Sequence, residues 1–307
     1  MGLCAGQTTT GWYLTMDLFL RWSMRVLAWL PLPLLRGLGV CLGWALWLLA
    51  TKRRKVVLTN LALCFPSLTT DERLQRGRSH MVLFAQAWLD RAWLWHGSPV
   101  LVASRLHMVG EVQALQQGKG AVIFAPHFVG LDAGWTALCL LMQRRFTTIY
   151  TPQRSAAIDE WVLQGRQRFG QVRLFRREDG FKAIVSTLRQ GDLLYLLPDM
   201  NFRLEESIFV PFYGVAAATV TTLPRLSRLG QVPVVPVTTH LTPQGYEVRV
   251  HAAWNDYPGE DANTDTALMN QRLQVWIDQM PEQYYWVHKR FKSRPNDEAS
   301  LYPPGTD

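Results

Sequence analysis

The 307-residue chain lacks several signatures by which enzymes and secreted proteins are commonly found. Its four cysteines form no CxxC pair, a pattern that argues against a disulfide framework and favours free thiols in a reducing compartment. It contains no GxSxG and no GxGxxG, and Gly118-Lys119-Gly120 lacks the upstream glycine and the following Ser or Thr of a phosphate-binding loop. Serine-hydrolase, dinucleotide-binding and P-loop functions are therefore unsupported.

Acidic residues are in short supply. The chain has 24 Asp and Glu against 32 Lys and Arg, which gives a net charge of +8 at pH 7. This excess favours anionic partners such as phosphates, acidic proteins or a lipid surface. No RNA- or DNA-binding motif occurs, so nucleic acid is not an expected partner. Hydrophobic residues make up 48% of the chain, which is ample for a folded core.

A long apolar run is present near the N-terminus, but it is interrupted. Val26–Ala50 carries one charge, Arg36, and two prolines that break a continuous helix. Lys52-Arg53-Arg54-Lys55 follows, and a basic cluster after an apolar segment favours the cytoplasmic side of a membrane. We expect an N-terminal hydrophobic membrane-anchor helix within residues 1–55, either spanning the bilayer or lying in its interface. A buried core helix is the alternative.

From Leu106 onward, short apolar runs alternate with amphipathic stretches. The alternation predicts an α/β fold over residues 56–295, with a central mixed, largely parallel sheet flanked by helices, and a polar tail over 296–307. Before it, Thr69 and Glu72 form a capping box that begins a long helix. The predicted strands are Leu106–Val109, Ala121–Ala125, Phe146–Tyr150, Val172–Phe175, Leu193–Leu197 and Val232–Thr238, with an edge strand at Tyr246–Ala252. The predicted helices are Leu131–Gln143, Ala156–Arg168, Gly180–Gln190, Thr219–Leu229 and Asp265–Met280.

One strand-to-helix turn carries a candidate general base. Ala121–Ala125 predicts a buried strand, Pro126 ends it, and Leu131 begins a helix, so His127 and Asp132 lie in and just after the turn. Five residues apart on a regular helix they would diverge by roughly 140°, so they meet only if the chain turns between them. A carboxylate beside an imidazole makes a general base that works near neutral pH. A hydrogen-bonded histidine without a catalytic role is the alternative, and no metal-ligand spacing occurs nearby.

Three further stretches lie where predicted strands end, at the edge where open α/β sheets bind ligands. Arg176 and Arg177 follow one strand and suit phosphate oxygens, with a solvated charge cluster as the alternative. Asp199 follows another strand and either orients a substrate or caps a turn. Arg154, and Arg166 on the helix after it, are further candidates for substrate binding or simple surface charges.

Taken in order along the chain, these stretches resemble the bacterial lipid A biosynthesis late acyltransferases, within the wider lysophospholipid acyltransferase superfamily. The similarity runs roughly from Asp17 to Pro295. H-x4-D alone is a weak signal, whereas the ordered set is specific. The matching motifs are Arg54–Leu61 with Phe65-Pro66, H-x4-D at His127 and Asp132, Leu174–Asp179, Leu197–Asp199, Phe209–Gly214 with Ala218-Thr219, Pro281–Trp286, and Lys289–Pro295.

The resemblance implies an acyltransferase that moves a fatty acyl chain from acyl carrier protein to a hydroxyl of a lipid A precursor, in lipopolysaccharide biosynthesis. His127 and Asp132 would form the catalytic dyad, and no metal or organic cofactor is needed because the thioester is already activated. The implied location is the cell inner membrane, with the catalytic domain on the cytoplasmic side. The candidates for substrate binding are Arg154, Arg166, Arg176, Arg177 and Asp199.

The chain departs from the family pattern at two positions. Tyr150-Thr151-Pro152 stands where family members often carry Tyr-Arg-Pro, so Arg154 is the candidate replacement for the missing arginine. Met200 follows Asp199, where a polar residue is usual. These departures keep a lysophospholipid or an aminolipid open as the acceptor. A membrane-anchored lipid-binding protein without turnover is the non-enzymatic alternative.

Overall fold

The chain folds around one seven-stranded sheet, in a computed structural model that describes residues 20–116, 118–153, 155–176 and 179–306. The strands are β1 (Leu106–Gly110), β2 (Ala121–Phe124), β3 (Arg145–Ile149), β4 (Gln171–Phe175), β5 (Leu193–Leu196), β6 (Ser207–Phe212), β7 (Val215–Val220), β8 (Val234–Thr242) and β9 (Gly245–Val250). The helices are α1 (Leu32–Leu49), α2 (Thr51–Cys64), α3 (Thr70–His96), α4 (Pro99–Ser104), α5 (Leu131–Leu141), α6 (Ala156–Arg166), α7 (Gly180–Arg189), α8 (Thr222–Gly230) and α9 (Ala262–Gln279). Residues 20–27, ahead of α1, are also helical.

The strand order is β1-β9-β8-β2-β5-β3-β4, and β6 and β7 form a separate hairpin. The strands from β8 to β4 run parallel, whereas β9 is antiparallel to β8 and β1 is parallel to β9. The predicted mixed, largely parallel sheet is therefore confirmed. Because the central strands are parallel, the carboxyl ends of β2, β5 and β3 share one edge of the sheet.

Both faces of the sheet are covered by helices. Ala121 and Ile123 of β2 pack into one apolar layer, and Val122 and Phe124 pack into the other, with none more than 2% exposed. Burial on both faces explains why β2 is a continuous apolar run rather than an alternating one. Helices α5 and α6 contribute to the first layer, α2, α7, α8 and α9 contribute to the second, and α1 and α3 contribute to both.

Helix α1 is long and apolar enough to cross a membrane, yet it is packed along α3 rather than detached. Two glycines make this close approach possible. A Cβ atom at Gly39 would lie 2.5 Å from the Gln86 side chain, and one at Gly43 would lie 2.4 Å from the Val82 Cα. The predicted anchor is therefore joined to the body of the protein along its length.

The single charge of the apolar run is buried in this contact. The Nη2 of Arg36 lies 2.9 Å from the Oδ2 of Asp90, whose side chain is fully buried. Asp90 also accepts hydrogen bonds from the Tyr246 hydroxyl at 2.6 Å and from the Trp93 indole at 2.9 Å. Removing one partner from such a pair would leave an uncompensated buried charge, so the pair fixes how α1 lies on α3.

Two predictions of local structure are wrong. The predicted helix Thr219–Leu229 starts too early, because its first residues end strand β7 and α8 begins only at Thr222. The hairpin of β6 and β7 was not predicted. Its turn is formed by Tyr213 and Gly214, which have φ values of 50° and 76°, as a tight hairpin turn requires. Strand β9 lies between β1 and β8 rather than at the edge of the sheet. The capping box is confirmed, since the Thr69 amide donates to Glu72 Oε2 at 2.7 Å.

The described part of the predicted polar tail, residues 296–306, contacts the body of the protein through Tyr302. Its hydroxyl donates to the side-chain oxygen of Asn60 at 2.6 Å. The Asn60 amide in turn donates to the carbonyls of Trp286 at 2.7 Å and His288 at 2.8 Å. Asn60, at no measurable exposure, therefore joins α2 to the C-terminal segment that lies over the sheet edge.

The close contact between α1 and α3 can be tested with two alanine substitutions. Gly43→Ala should lower the free energy of unfolding by about 1–3 kcal/mol, because the new methyl group meets the Val82 backbone. Gly37→Ala is the matched control, since nothing lies within 4 Å of its Cβ position, and it should stabilise the helix by about 0.5–1 kcal/mol. Denaturant unfolding of both variants in one detergent measures the difference. Equal stabilisation by the two substitutions would contradict the packing.

Candidate active site

His127 lies at the carboxyl edge of the sheet, three residues beyond the end of β2 and four before α5. Its side chain is 22% exposed, so the imidazole is held by the protein but remains accessible. The backbone around it is fixed from both sides. The Tyr285 amide donates to the His127 carbonyl at 2.9 Å, and Phe128 forms a β-bridge with Tyr284.

The register of two neighbouring strands determines which carboxylate reaches this imidazole. In the parallel pair of β2 and β5, Phe124 is opposite Leu196, and the Ala125 amide continues the ladder with a 2.9 Å hydrogen bond to the Leu196 carbonyl. A proline then follows each strand, Pro126 after β2 and Pro198 after β5, and ends the hydrogen-bond ladder. Three residues beyond the last pair, His127 and Asp199 arrive side by side.

Asp199 holds the imidazole with both of its oxygens. Its Oδ1 lies 2.7 Å from the His127 Nδ1, and its Oδ2 accepts the His127 backbone amide at 3.0 Å and the Tyr284 hydroxyl at 3.1 Å. Asp199 is fully buried. Burial alone would raise the pKa of its carboxyl, but the electrostatic interaction with His127 and the hydrogen bonds from the His127 ring and amide outweigh burial and hold the pKa below its usual range. The ionised carboxylate only accepts hydrogen bonds, so the His127 Nδ1 carries a proton and donates it to Asp199.

The carboxylate predicted to pair with His127 lies elsewhere. Asp132, in the first turn of α5, faces helices α3 and α6 instead of the imidazole. Its Oδ2 accepts the Nε of Arg91 at 2.8 Å, and its Oδ1 accepts the Nε and Nη2 of Arg166 at 3.1 and 3.0 Å. The expected hydrogen bond from His127 to Asp132 is therefore corrected to one from His127 to Asp199. The physical reason is that two guanidinium groups saturate the Asp132 oxygens.

Asp132 carries its charge although it is only 5% exposed. Burial favours the neutral acid and would raise its pKa. The charges of Arg166 and Arg91, together with their hydrogen bonds, outweigh burial and lower the pKa of Asp132 below its usual range.

A cavity of ≈650 Å³ opens at this edge of the sheet, and both His127 and the Asp132 cluster line it. One wall comes from a single face of α3, where the apolar side chains of Phe84, Ala87 and Trp88 and the charged Arg91 follow one another at helical spacing. Within the parts of the chain that the structure describes, no three His, Cys, Asp or Glu side chains converge as metal ligands. The other lining residues include Val129, Leu131, Trp135, Thr148, Ile149, Arg166, Tyr195, Leu197, Met200, Phe202, Tyr285 and His288.

The structure separates the predicted substrate-binding residues into three groups. Arg166 lines the cavity, and its role in substrate binding stays a prediction. Asp199 lies behind His127 and is fully buried, so it contacts the imidazole rather than the cavity. Arg176 is exposed at the end of β4, where its amide donates to Asp179, and it does not line the cavity. Arg154 and Arg177 lie outside the described residues.

Sequence reasoning missed Arg91 and the pairing of Asp199 with His127. A signal for the pairing was present, because Pro126-His127 and Pro198-Asp199 end two neighbouring apolar runs in the same way. A signal for Arg91 was weaker. It stands seven residues after Phe84 on the apolar face of α3, where a charge needs a buried partner.

Comparison with known proteins places the chain in a family. A sequence model described as bacterial lipid A biosynthesis acyltransferase matches residues 12–293. The chain belongs to this family. It is therefore an acyltransferase of lipid A biosynthesis, and the non-enzymatic alternative is wrong.

Three similar proteins carry names of this family. The lipid A biosynthesis lauroyltransferase of Escherichia coli K12 is 30% identical over 281 residues, covering 89% of this chain and 90% of that protein. The palmitoleoyltransferase of the same organism is 30% identical over 280 residues, with coverage of 89% and 90%. A lipid A biosynthesis acyltransferase of Haemophilus influenzae is 30% identical over 283 residues, with coverage of 90% and 87%. Two of the names specify different acyl chains and the third specifies none, so what the three share is lipid A acyltransferase activity.

Among solved structures, the 1-acyl-sn-glycerophosphate acyltransferase PlsC of Thermotoga maritima aligns with 75% of this chain and 98% of its own. The sequence identity is 12% and the TM-score is 0.36.

The two buried carboxylates should make stability depend on pH in acid. A folded-state pKa below the unfolded value of about 3.9 contributes stability that is present above that value and is lost as pH falls through the folded pKa. Asp132→Asn, which cannot ionise, should lower stability at pH 7 and make the loss below about pH 5 shallower. Urea unfolding at a series of pH values measures both effects. The control is Asp71→Asn, at an exposed position on α3, and a wild-type slope in Asp132→Asn would refute the assignment.

Proposed function

We propose that this enzyme transfers a fatty acyl chain from the thioester of acyl carrier protein to a hydroxyl of a lipid A precursor, with His127 as the general base. The observation that carries the proposal is the geometry of His127. Its Nδ1 is bound by the buried Asp199, and its side chain is 22% exposed and lines the cavity. We propose that Nε2 is the nitrogen that meets the substrate. We assign the orienting role to Asp199 rather than to Asp132.

The proposed reaction needs one proton carrier. Nε2 takes the proton of the acceptor hydroxyl as its oxygen attacks the thioester carbonyl, which forms a C–O bond and a tetrahedral intermediate. The intermediate then breaks its C–S bond, and the imidazolium returns the proton to the leaving thiolate. The Asp199 carboxylate stabilises the imidazolium between these steps, as a buried carboxylate does beside a catalytic histidine.

The cavity beside His127 suits a substrate with a hydrocarbon chain. The face of α3 that carries Phe84, Ala87 and Trp88 offers an apolar wall, and Leu131 and Trp135 of α5 extend it. Apolar side chains that line a pocket gain about 25 cal/mol for each Å² that an alkyl chain removes from water. We propose that this wall binds the acyl chain while His127 meets the thioester.

Acyl carrier protein is proposed as the donor because of charge. The net charge of +8 favours an acidic carrier, and oppositely charged proteins associate faster than neutral ones. The same excess suits a phosphorylated glycolipid. We keep the lipid A precursor as the acceptor on the strength of the family, and the alternatives enter as arms of the experiment below.

The general base can be tested by three substitutions. His127→Ala should lower the rate of acyl transfer about 10²–10⁴-fold, the usual effect of losing a general base. Asp199→Asn should lower it too, because the amide can donate to Nδ1 and so hold the wrong tautomer. The control is His107→Ala, at an exposed position on β1. The assay transfers labelled acyl chains from acyl carrier protein to a lipid A precursor, a lysophospholipid and an aminolipid.

Two outcomes would refute the proposal. One is wild-type turnover in folded His127→Ala protein, as judged by its melting temperature. The other is a preference of the wild-type enzyme for the lysophospholipid or the aminolipid, which would move the acceptor to that lipid class.

We further propose that the enzyme lies on the cytoplasmic face of the cell inner membrane, with α1 in the plane of the interface. Large apolar side chains face outward along the N-terminal region, among them Trp29 at 89% exposure and Leu48 at 62%. The exposed Lys55 lies just beyond them and suits anionic headgroups. A spanning α1 would draw α3 and the Arg36–Asp90 pair into the hydrocarbon, at high cost.

Vesicle binding and label depth test this placement. The double variant Trp29→Ser, Leu48→Ser should bind vesicles containing phosphatidylglycerol about tenfold or more weakly, given 1.5–3 kcal/mol for each buried apolar side chain. Val275→Ser is the control, since it removes an exposed apolar side chain from α9. A fluorophore on the exposed Cys41, near the middle of α1, should lie at interfacial depth in Cys4→Ser protein. A label at the bilayer centre would show instead that α1 spans.

A further inference from the structure

The Asp132 cluster is a second built feature of the cavity, separate from the His127–Asp199 pair. Two guanidinium groups grip one carboxylate. Arg91 directs its Nε and Nη2 at Oδ2, both at 2.8 Å, and Arg166 directs its Nε and Nη2 at Oδ1, at 3.1 and 3.0 Å. The two arginines come from different helices, α3 and α6, and Asp132 on α5 draws them together.

Each guanidinium is held in position by a further contact. Arg91 lies over the Trp95 ring, with 5.5 Å from its Cζ to the ring centroid, and Arg166 lies over the Tyr150 ring at 5.8 Å. Such stacking restricts the plane of a guanidinium without using its N–H groups. The Nη1 groups of both arginines take no part in the contact with Asp132, and both side chains keep about a quarter of their surface exposed, at 25% and 24%.

The charges do not balance. Two guanidinium groups face one carboxylate, so the cluster presents a net charge of +1 to the cavity that both arginines line. One guanidinium group would be enough to neutralise the carboxylate. The Nη1 groups, which do not face Asp132, are donors of the kind that binds an oxyanion such as phosphate.

We infer that Arg91 and Arg166 bind a phosphate group of a substrate, and that Asp132 is the positioning residue that holds the two arginines at the right separation. The inference rests on the proposed function, because both the phosphopantetheine arm of the acyl donor and a phosphorylated glycolipid acceptor would bring a phosphate to this cavity. The shared chemistry is a tetrahedral phosphate bound by the two guanidinium groups.

The close spacing of His127 and Asp132 in the chain suits this arrangement. Both residues stand on one turn, where β2 passes into α5, so a single rigid segment carries the general base and the carboxylate that organises the arginines. A phosphate bound by the arginines would therefore hold its substrate at a fixed position relative to the His127 Nε2. Such positioning helps to align the reacting atoms.

Binding of inorganic phosphate is the first test. Phosphate should raise the melting temperature of the wild-type protein and should bind about tenfold or more weakly to Arg91→Lys and Arg166→Lys, since lysine cannot offer a fork. Asp132→Asn should also weaken binding, although it removes a negative charge, because the arginines are no longer positioned. Arg249→Lys is the matched control, at a surface ion pair with Glu247 on β9. Unchanged phosphate affinity in all three cluster variants would overturn the inference.

A second measurement uses only the wild-type protein and so does not depend on how the variants fold. Phenylglyoxal modifies accessible guanidinium groups, and mass spectrometry can follow the modification of Arg91 and Arg166 individually. Inorganic phosphate should protect these two arginines and leave Arg249 as reactive as before. Equal protection of Arg249, or none of the cluster arginines, would count against a site.

Kinetics then identify which substrate supplies the phosphate. Acyl-phosphopantetheine is compared with acyl-pantetheine, and an acceptor lipid is compared with its dephosphorylated form. One of the two phosphates should lower KM in the wild type, and that advantage should fall about tenfold in Arg91→Lys, with kcat changing less. Arg91-dependent phosphate binding without acyl transfer would refute the proposed function alone. Acyl transfer in which Arg91→Lys keeps the full advantage of both phosphates would refute this inference alone.

Discussion

The site depends on the parallel pairing of β2 with β5. The pairing of Phe124 with Leu196 places two proline-terminated strand ends in register, so His127 and Asp199 meet although they are far apart in sequence. The backbone hydrogen bonds between β2 and β5 fix the positions of both residues, so the pairing does not depend on flexible side chains. A shift of register by one residue would turn every side chain to the opposite face of the sheet and separate the pair.

Much of this arrangement follows from local sequence. Unbroken apolar runs such as Ala121–Phe124 predicted the central strands, because burial on both faces removes the alternation of polar residues. His127 could be placed at the sheet edge because it directly follows the proline that ends this apolar run. The hairpin around Tyr213 and Gly214 was missed because the small residues before Val220 fit a helix or a strand equally well, and only the turn geometry distinguishes them.

The partners of the two aspartates could not be predicted in the same way. Asp132 lies close to His127 in sequence, which favoured a pair, but its oxygens are claimed by Arg91 from α3 and by Arg166 from α6. Which helix packs beside α5 is a property of the whole fold. Local spacing reports which side chains can meet, whereas long-range packing decides which ones do.

Asp132 and Asp199 are both buried carboxylates near the same edge of the sheet, but their neighbours give them different roles. Asp199 faces one imidazole, and in the proposed reaction it stabilises the charge that His127 gains when it takes a proton from the acceptor. Asp132 faces two permanent cations, so its charge is already more than compensated before any substrate arrives. A carboxylate whose oxygens already accept hydrogen bonds from two arginines cannot also stabilise a charged imidazole effectively. It can instead hold excess positive charge in place, and a cavity that also carries an apolar wall then suits a lipid with an anionic group.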